Sequence, residues 1–366
     1  MIHFVVGTRA QLLKLAPVMV ECRQRELAWR WVYSAQHRET IEQLLATFEL
    51  PPPDHVLVRW DDEARSMGAM GRWFGRMVLA TARPRLALGG SVGPRHVVVT
   101  HGDTFTTWFG ALLGKLTRTP VLHVESGLRS FNLRKPFPEE LNRLVTFRLA
   151  DLYACQDEEA IANLRRYGGF KFNTHGNTQI DTLRFGLAHS DRVEVDVPDA
   201  PYAVVTLHRY ENIFDRERFA RIVDLLLHIA EQTELVFIRH PATQLQLVKL
   251  GLLERLEASP RIHLRPRLEY LPFIKAVRGA EFVVTDGGGN QVELAYLGKP
   301  TLIFRDEVEQ REGIGENAVV SRLDAAVVDD FLARYRELAR PVSLPDSSPT
   351  KIIVDVLAER GYGASR

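Results

Sequence analysis

Three acids stand where apolar runs break off: Asp103 in "THGDTFTT", Glu125 in "HVESGLRS" and Glu139 in "PFPEELNR". Carboxylates gathered in one site can divide acid and base roles when their surroundings push their pKa values apart. That chemistry requires the fold to bring the three together. Taken singly, each reads equally well as a helix cap or a surface charge, and Glu140, beside Glu139, reads as a first-turn acid. His208 and Arg209 follow another apolar run in "VVTLHRYEN". A histidine placed there can hydrogen-bond a phosphate, transfer a proton, or be an ordinary half-buried side chain. His240 in "FIRHPATQ" has the same placement, and for it the structural role is the simpler reading.

Two glycine-bearing segments are suited to a ligand. "VVTDGGGNQVELAYLGKP" (283–300) reads as a buried strand ending at Asp286, three glycines and a helix. Backbone amides of Gly288 and Gly289 at a helix N-terminus suit a phosphate. Glu293, one turn into that helix, can accept hydrogen bonds from ribose hydroxyls. The ordinary alternative is a flexible glycine turn with a surface acid. "VVGTRAQLLKLAPV" opens the chain as strand, turn and helix, with Gly7 allowing the turn, Thr8 capping the helix, and Arg9 and Lys14 available to an anion. By itself it reads as a common strand-to-helix turn with two solvated cations. No G-x-G-x-x-G run occurs, so a dinucleotide fingerprint is not supported.

These residues need a scaffold of strands. Short apolar runs recur at 3–6, 30–35, 96–100, 120–124, 151–155, 202–207, 235–239, 261–264, 281–285 and 300–304. Most are continuous rather than alternating, which fits strands buried on both faces of a parallel sheet. Between them lie helical patterns such as 11–24 and 38–50, so the chain is expected to be α/β with parallel sheets. The polar, proline-containing run "LAHSDRVEVDVPDAP" (187–201) interrupts the alternation, and "YAVVTL" restarts it. Two doubly wound domains facing a cleft are expected, with ligands beyond the carboxyl ends of the strands.

Bulk composition narrows the function classes. The chain has 366 residues, with Lys+Arg 47 against Asp+Glu 46 and a net charge of +1. That balance gives no general attraction to nucleic acid or to a membrane surface. Cys22 and Cys155 show neither metal-ligand spacing nor a disulfide framework, so a reducing, cytoplasmic setting is expected. No stretch is long enough to span a bilayer, and the first apolar run is too short for a signal peptide.

In order along the chain, "GTRAQLLKLAPV", "AQHRET", "HGDTFTT", "HVESGLRS", "PFPEELNR", "GNTQIDTL", "VTLHRYEN", "EYLPF" and "TDGGGNQVELAYLGKP" resemble the UDP-N-acetylglucosamine 2-epimerases, from residue 3 to about residue 312. The resemblance implies two Rossmann-like domains of the glycosyltransferase-B type: 1–188 with the catalytic carboxylates, 189–345 binding UDP, and 346–366 with a helix (348–361) crossing back to the first. It implies elimination of UDP from C1 with loss of the C2 proton, then readdition to the other face of a 2-acetamidoglucal. Asp103, Glu125 and Glu139 then match the acid/base carboxylates and His208 the histidine near the diphosphate. Arg9, Lys14, Arg129, Arg209, Phe273, Gly287, Gly288, Gly289, Asn290 and Glu293 match substrate-binding positions. No cofactor and no metal are implied. The implied partner is UDP-N-acetylglucosamine or a related UDP-sugar, and the implied assembly a homodimer. A hydrolysing variant that releases N-acetylmannosamine, and an inactive nucleotide-binding module, remain as alternatives.

The chain departs from the family pattern on the nucleotide side. Gly287 stands for a usual serine, Asn290 for isoleucine, Val292 for glutamate, Gln310 for arginine and Leu268 for glutamine. Gln36 and His240 match a second-substrate site of bacterial relatives, where Tyr210 replaces a usual arginine.

Overall fold

A computed structural model describes residues 1–35, 41–58, 67–132, 138–308 and 310–364, the side chains of 67–70 excepted. Gln36 therefore lies outside the described residues. The chain forms two compact units, Met1–Thr182 with Pro345–Arg366, and Leu183–Leu344.

The first unit is a parallel sheet of β1 (Ile2–Val6), β2 (Trp29–Tyr33), β3 (His55–Val56), β4 (Val97–His101), β5 (Val121–Val124), β6 (Leu152–Cys155) and β7 (Phe170–Asn173). Its order is β3-β2-β1-β4-β5-β6-β7. The second holds β8 (Tyr202–Thr206), β9 (Glu234–Arg239), β10 (Ile262–Pro266), β11 (Val283–Thr285), β12 (Thr301–Ile303) and β13 (Ala318–Val320), in the order β10-β9-β8-β11-β12-β13. Every pairing between these named strands is parallel. Each sheet is thus doubly wound, and strand order reverses between β1 and β4 in one and between β8 and β11 in the other. Those reversals open a crevice at the strands' carboxyl ends.

The ten apolar runs of the sequence all form strands. β3, β7 and β13 carry no such run, and all three lie at a sheet edge. An edge strand is covered less, so its sequence need not be apolar on both faces; β7 is exposed or half-buried along its length. Interior strands β1 and β4 are buried throughout. Phe4, Trp31, Phe109, Phe147 and Tyr153 fill the first unit, and Phe219, Phe237, Phe282, Phe304 and Phe331 the second. Truncating any of these phenylalanines to alanine costs about 3–5 kcal/mol.

The C-terminal helix Pro349–Glu359 opens with Ser348 as cap and proline in its first turn, an arrangement that uses proline's missing N–H. It packs against the helix Arg9–Gln24. Thr350 N donates to Asp181 (2.8 Å), Arg25 pairs with Asp355 (2.5 Å), and Ala28 N donates to the Gly363 carbonyl (2.6 Å). No helix among the described residues is long and apolar enough to cross a membrane.

Candidate active site

In the first unit the strand reversal is built by buried polar side chains. Thr8 caps the helix Arg9–Gln24 in a reciprocal capping box with Gln11. The buried Gln11 amide then reaches across the crevice: Oε1 accepts from the Gly7 and Thr8 amides, and Nε2 donates to the His101 carbonyl (2.7 Å) and to the Thr104 and Thr107 hydroxyls. Gly7 is needed here for space rather than for a turn. Its φ is not in the left-handed region, and a Cβ would collide with the Thr106 and Ser34 hydroxyls.

A second strut joins the turns that carry the two strand-end acids. His123 is fully buried in β5, and burial pushes its imidazole down to about 4, so the ring is neutral. Its Nε2 lies 2.8 Å from the Gly102 carbonyl, which can only accept, so Nε2 donates. Nδ1 then accepts from the Ser126 hydroxyl at 2.8 Å. Gly102 precedes Asp103 and Ser126 follows Glu125, so one neutral ring fixes the spacing of both turns.

Glu125 sits just past β5 at φ +60°. A left-handed conformation in a non-glycine residue costs about 1–2 kcal/mol, a strain found most often at functional positions. Lys14 Nζ lies 2.5 Å from Glu125 Oε2, Asn177 Nδ2 donates to the same oxygen, and His101 Nε2 is 3.4 Å away. Burial pushes the carboxyl up, yet Lys14 and then His101 outweigh it and hold Glu125 well below the usual carboxylate range. Lys14, read from the sequence as a solvated cation or an anion-binding one, is thus engaged by a carboxylate of the chain itself.

Asp103, past β4, accepts from Arg143 Nη2 at 2.6 Å, and its backbone carbonyl accepts from Asn142 Nδ2. Both partners come from the helix Glu139–Leu149. Arg143 also lies 3.5 Å from Glu140. Burial lowers the guanidinium pKa, and Asp103, Glu140 and Glu125 together reverse that and raise it. Glu140 is not a solvated first-turn acid: it is fully buried, accepts from the Ser130 amide, and pairs with Arg129 at 2.5 Å. Arg129 lies over the Phe131 ring. Glu139 begins the same helix, and its Oε2 is buried with no hydrogen-bond partner among the described residues. Asp103 and Glu125 therefore end neighbouring strands, and Asp103 is bonded to the helix that Glu139 opens. Arg9, the first residue of its helix, is half-buried.

In the second unit the crevice centres on Asp286. It is fully buried and accepts from the backbone amides of His208 (2.9 and 3.2 Å) and Arg209 (3.0 Å) and from Asn212 Nδ2 (2.9 Å). The His208 ring stands with Nδ1 3.5 Å from Asp286 Oδ1 and its centroid 5.7 Å from that of His240. Burial lowers the imidazole pKa; Asp286 opposes this, and Arg209 and Arg267 add to it. The helix Gly288–Tyr296 starts directly after Gly287, so the first-turn amides of Gly288, Gly289 and Asn290 lie at its positive end. The Arg209 guanidinium stands over Gly288. Glu293 is buried, not a surface acid, and accepts from Tyr270 Oη at 3.2 Å. Phe273 is half-buried one turn along from Tyr270. His240 caps the helix Pro241–Lys249. Tyr210 is exposed and stacked on Phe214.

Sequence reasoning missed His101, Gln11, His123, Asn177 and Arg143, and gave Asp286 no role. For His101 and His123 the available signal was a polar residue inside or directly after an apolar run, which marks a buried group in need of partners; Gln11, Asn177 and Arg143 carry no such signal. Among the described residues no group of His, Cys, Asp and Glu has the arrangement of a metal site.

Similarity to known proteins agrees with this geometry. The family described as UDP-N-acetylglucosamine 2-epimerase matches residues 20–340. A UDP-N-acetylglucosamine 2-epimerase of Salmonella borreze is 32% identical over 352 residues, spanning 92% of this chain and 89% of that protein. A UDP-2,3-diacetamido-2,3-dideoxy-D-glucuronate 2-epimerase of Pseudomonas aeruginosa is 30% identical, with 89% of each covered. The crystal structure of the Methanocaldococcus jannaschii UDP-GlcNAc 2-epimerase in complex with UDP-GlcNAc and UDP superposes with a TM-score of 0.81 at 27% identity, covering 98% of this chain and 99% of that one. Matched along most of its length in both sequence and structure, the chain belongs to the UDP-N-acetylglucosamine 2-epimerase family.

Proposed function

We propose that the chain interconverts UDP-N-acetylglucosamine and UDP-N-acetylmannosamine without releasing free sugar. The observation that carries this reading is the pair of strand-end carboxylates in the first unit, Glu125 paired with Lys14 and Asp103 bonded to the helix opened by Glu139. In the forward half-reaction the C2–H electron pair becomes the C1=C2 double bond. The C1–O pair departs with UDP, and the proton passes to a carboxylate. Glu125 is ionised, the form that can accept a proton, and it gains basicity only when its pair with Lys14 is loosened. Glu139 Oε2, buried and unpartnered among the described residues, suits exchange on the opposite face. Readdition of UDP to the glycal with reprotonation at C2 restores the atom balance. His208, Arg209 and the first turn of the helix at Gly288 would stabilise the charge of the departing diphosphate.

The test is NMR of the reaction with UDP-N-acetylglucosamine in heavy water. The expected product is UDP-N-acetylmannosamine carrying deuterium at C2. Free N-acetylmannosamine plus UDP would assign the hydrolysing reaction instead. No turnover, alongside turnover of the 2,3-diacetamido-glucuronate nucleotide, would move the substrate while keeping the chemistry. Epimerised product without solvent deuterium would refute exchange of the abstracted proton.

A further inference from the structure

Gly287 caps the helix Gly288–Tyr296 with φ −86° and ψ 122°. That is extended backbone open to any residue, at a position where serine, threonine, asparagine and aspartate are favoured. Backbone conformation therefore gives no reason for a glycine, but packing does. A Cβ at 287 would stand 2.8 Å from His208 Cε1 and 3.5 Å from Asn290 Cγ. The first distance is well inside carbon–carbon contact. We infer that Gly287 is a positioning residue for His208: the imidazole occupies the volume that any side chain at 287 would fill. On its other side the ring is backed by the buried Asp286, Nδ1 lying 3.5 Å from Oδ1. Asp286 cannot withdraw, because it also holds the amides of His208 and Arg209 and the Asn212 side chain. A side chain at 287 must therefore turn the imidazole about its own torsions, away from Gly287. Serine, the residue usual in the family, is the wrong residue for this chain despite the hydroxyl it would offer.

This inference rests on the reading that His208 serves the epimerisation. The experiment compares Gly287→Ser and Gly287→Ala with the wild type, each also in a His208→Ala background. Initial rates with UDP-N-acetylglucosamine, UDP affinity by calorimetry and thermal unfolding are measured. Displacing a catalytic group by about 1 Å costs roughly 10²-fold, so both single variants should lose about that much kcat while Tm is unchanged or higher. In the His208→Ala background the same substitutions should cost nothing further, the non-additivity expected of neighbours acting through one another. Wild-type kcat in Gly287→Ser, or an equal loss in both backgrounds, would overturn the inference. A wild type without turnover would be a failure of the proposed function, not of this inference. The His208 Cε1–H resonance then decides it: a shift between wild type and Gly287→Ala supports the displaced ring, and an unchanged resonance refutes it.

Discussion

Replacing Lys14 with methionine keeps most of the length of the side chain and removes its charge. Glu125 then loses the ammonium 2.5 Å from Oε2 while remaining largely buried. Breaking a buried ion pair by removing one partner costs about 3–5 kcal/mol. Asn177 and the nearby His101 remain in place, so the lower end, about 3 kcal/mol, applies. The sign with pH follows from the direction of the shift. In the wild type Glu125 titrates well below its ordinary value of 4.5, so its ionised form stabilises the fold above that value and the contribution fades as pH falls through the folded pKa. In Lys14→Met burial acts with less opposition and the folded pKa rises. The variant then carries a penalty that grows as pH climbs from the ordinary value to the raised one and is level above it. All five tryptophans, Trp29, Trp31, Trp60, Trp73 and Trp108, belong to the first unit. Urea unfolding followed by tryptophan fluorescence therefore reports on that unit. The expected result is a deficit of about 3 kcal/mol near pH 8, shrinking once pH falls below 4.5, with an unchanged m-value. An equal deficit near pH 8 and well below pH 4.5 would show that Lys14 acts through packing rather than through the charge of Glu125.

Asp103→Asn, Glu125→Gln and Glu139→Gln should each lower kcat by roughly 10²–10⁴-fold with native circular dichroism; near-normal turnover in any one removes that residue from the chemistry. Cys22 and Cys155 are buried and their thiols are pushed up to about 12, leaving roughly one thiolate in 10⁴ near pH 8. An aromatic disulfide reagent should label neither in the native protein and both in guanidinium. Asn290 lies in the first turn at Gly288 and Arg311 is exposed beside Gln310. If either replaces the contacts given up at Gly287 and Gln310, Asn290→Ala or Arg311→Ala should weaken UDP binding about tenfold, the value of one hydrogen bond to a charged group. Two unchanged affinities in calorimetry would refute that compensation.

The interior of each sheet was legible because β1, β4, β8 and their neighbours must be apolar on both faces, which writes continuous runs into the chain. The edges were not. β3, β7 and β13 need less cover, and their pairing is decided by register with a neighbour far away in sequence. Asp103, Glu125 and His208 were legible as polar residues directly after such runs. Their partners were harder, since Lys14 and Glu125 lie 111 positions apart and His208 and Asp286 lie 78 apart, and no local pattern encodes those meetings. Glu140 shows the limit most clearly. Its place in a first helical turn was readable, but its burial depends on Arg129 and the Ser130 amide arriving from another segment. Gly7 was read as a turn glycine, whereas the reason for it is the pair of hydroxyls of Ser34 and Thr106 brought there by other strands.

The first unit is closed by a segment that the ribosome makes only after the whole of the second. Its sheet needs only residues up to Asn173, yet the helix Arg9–Gln24 is covered by Pro349–Glu359, and Ala28 waits for the Gly363 carbonyl. The whole of Leu183–Leu344 is translated in between, on the order of ten to thirty seconds at 5–20 residues per second. Leu183–Leu344 is continuous and has all its parts as soon as Leu344 clears the exit tunnel. Through that interval the nascent chain carries an early half that is open along one helix and a later half that is finished first. The face of Arg9–Gln24 that packs on Pro349–Glu359 stays uncovered until that helix is made.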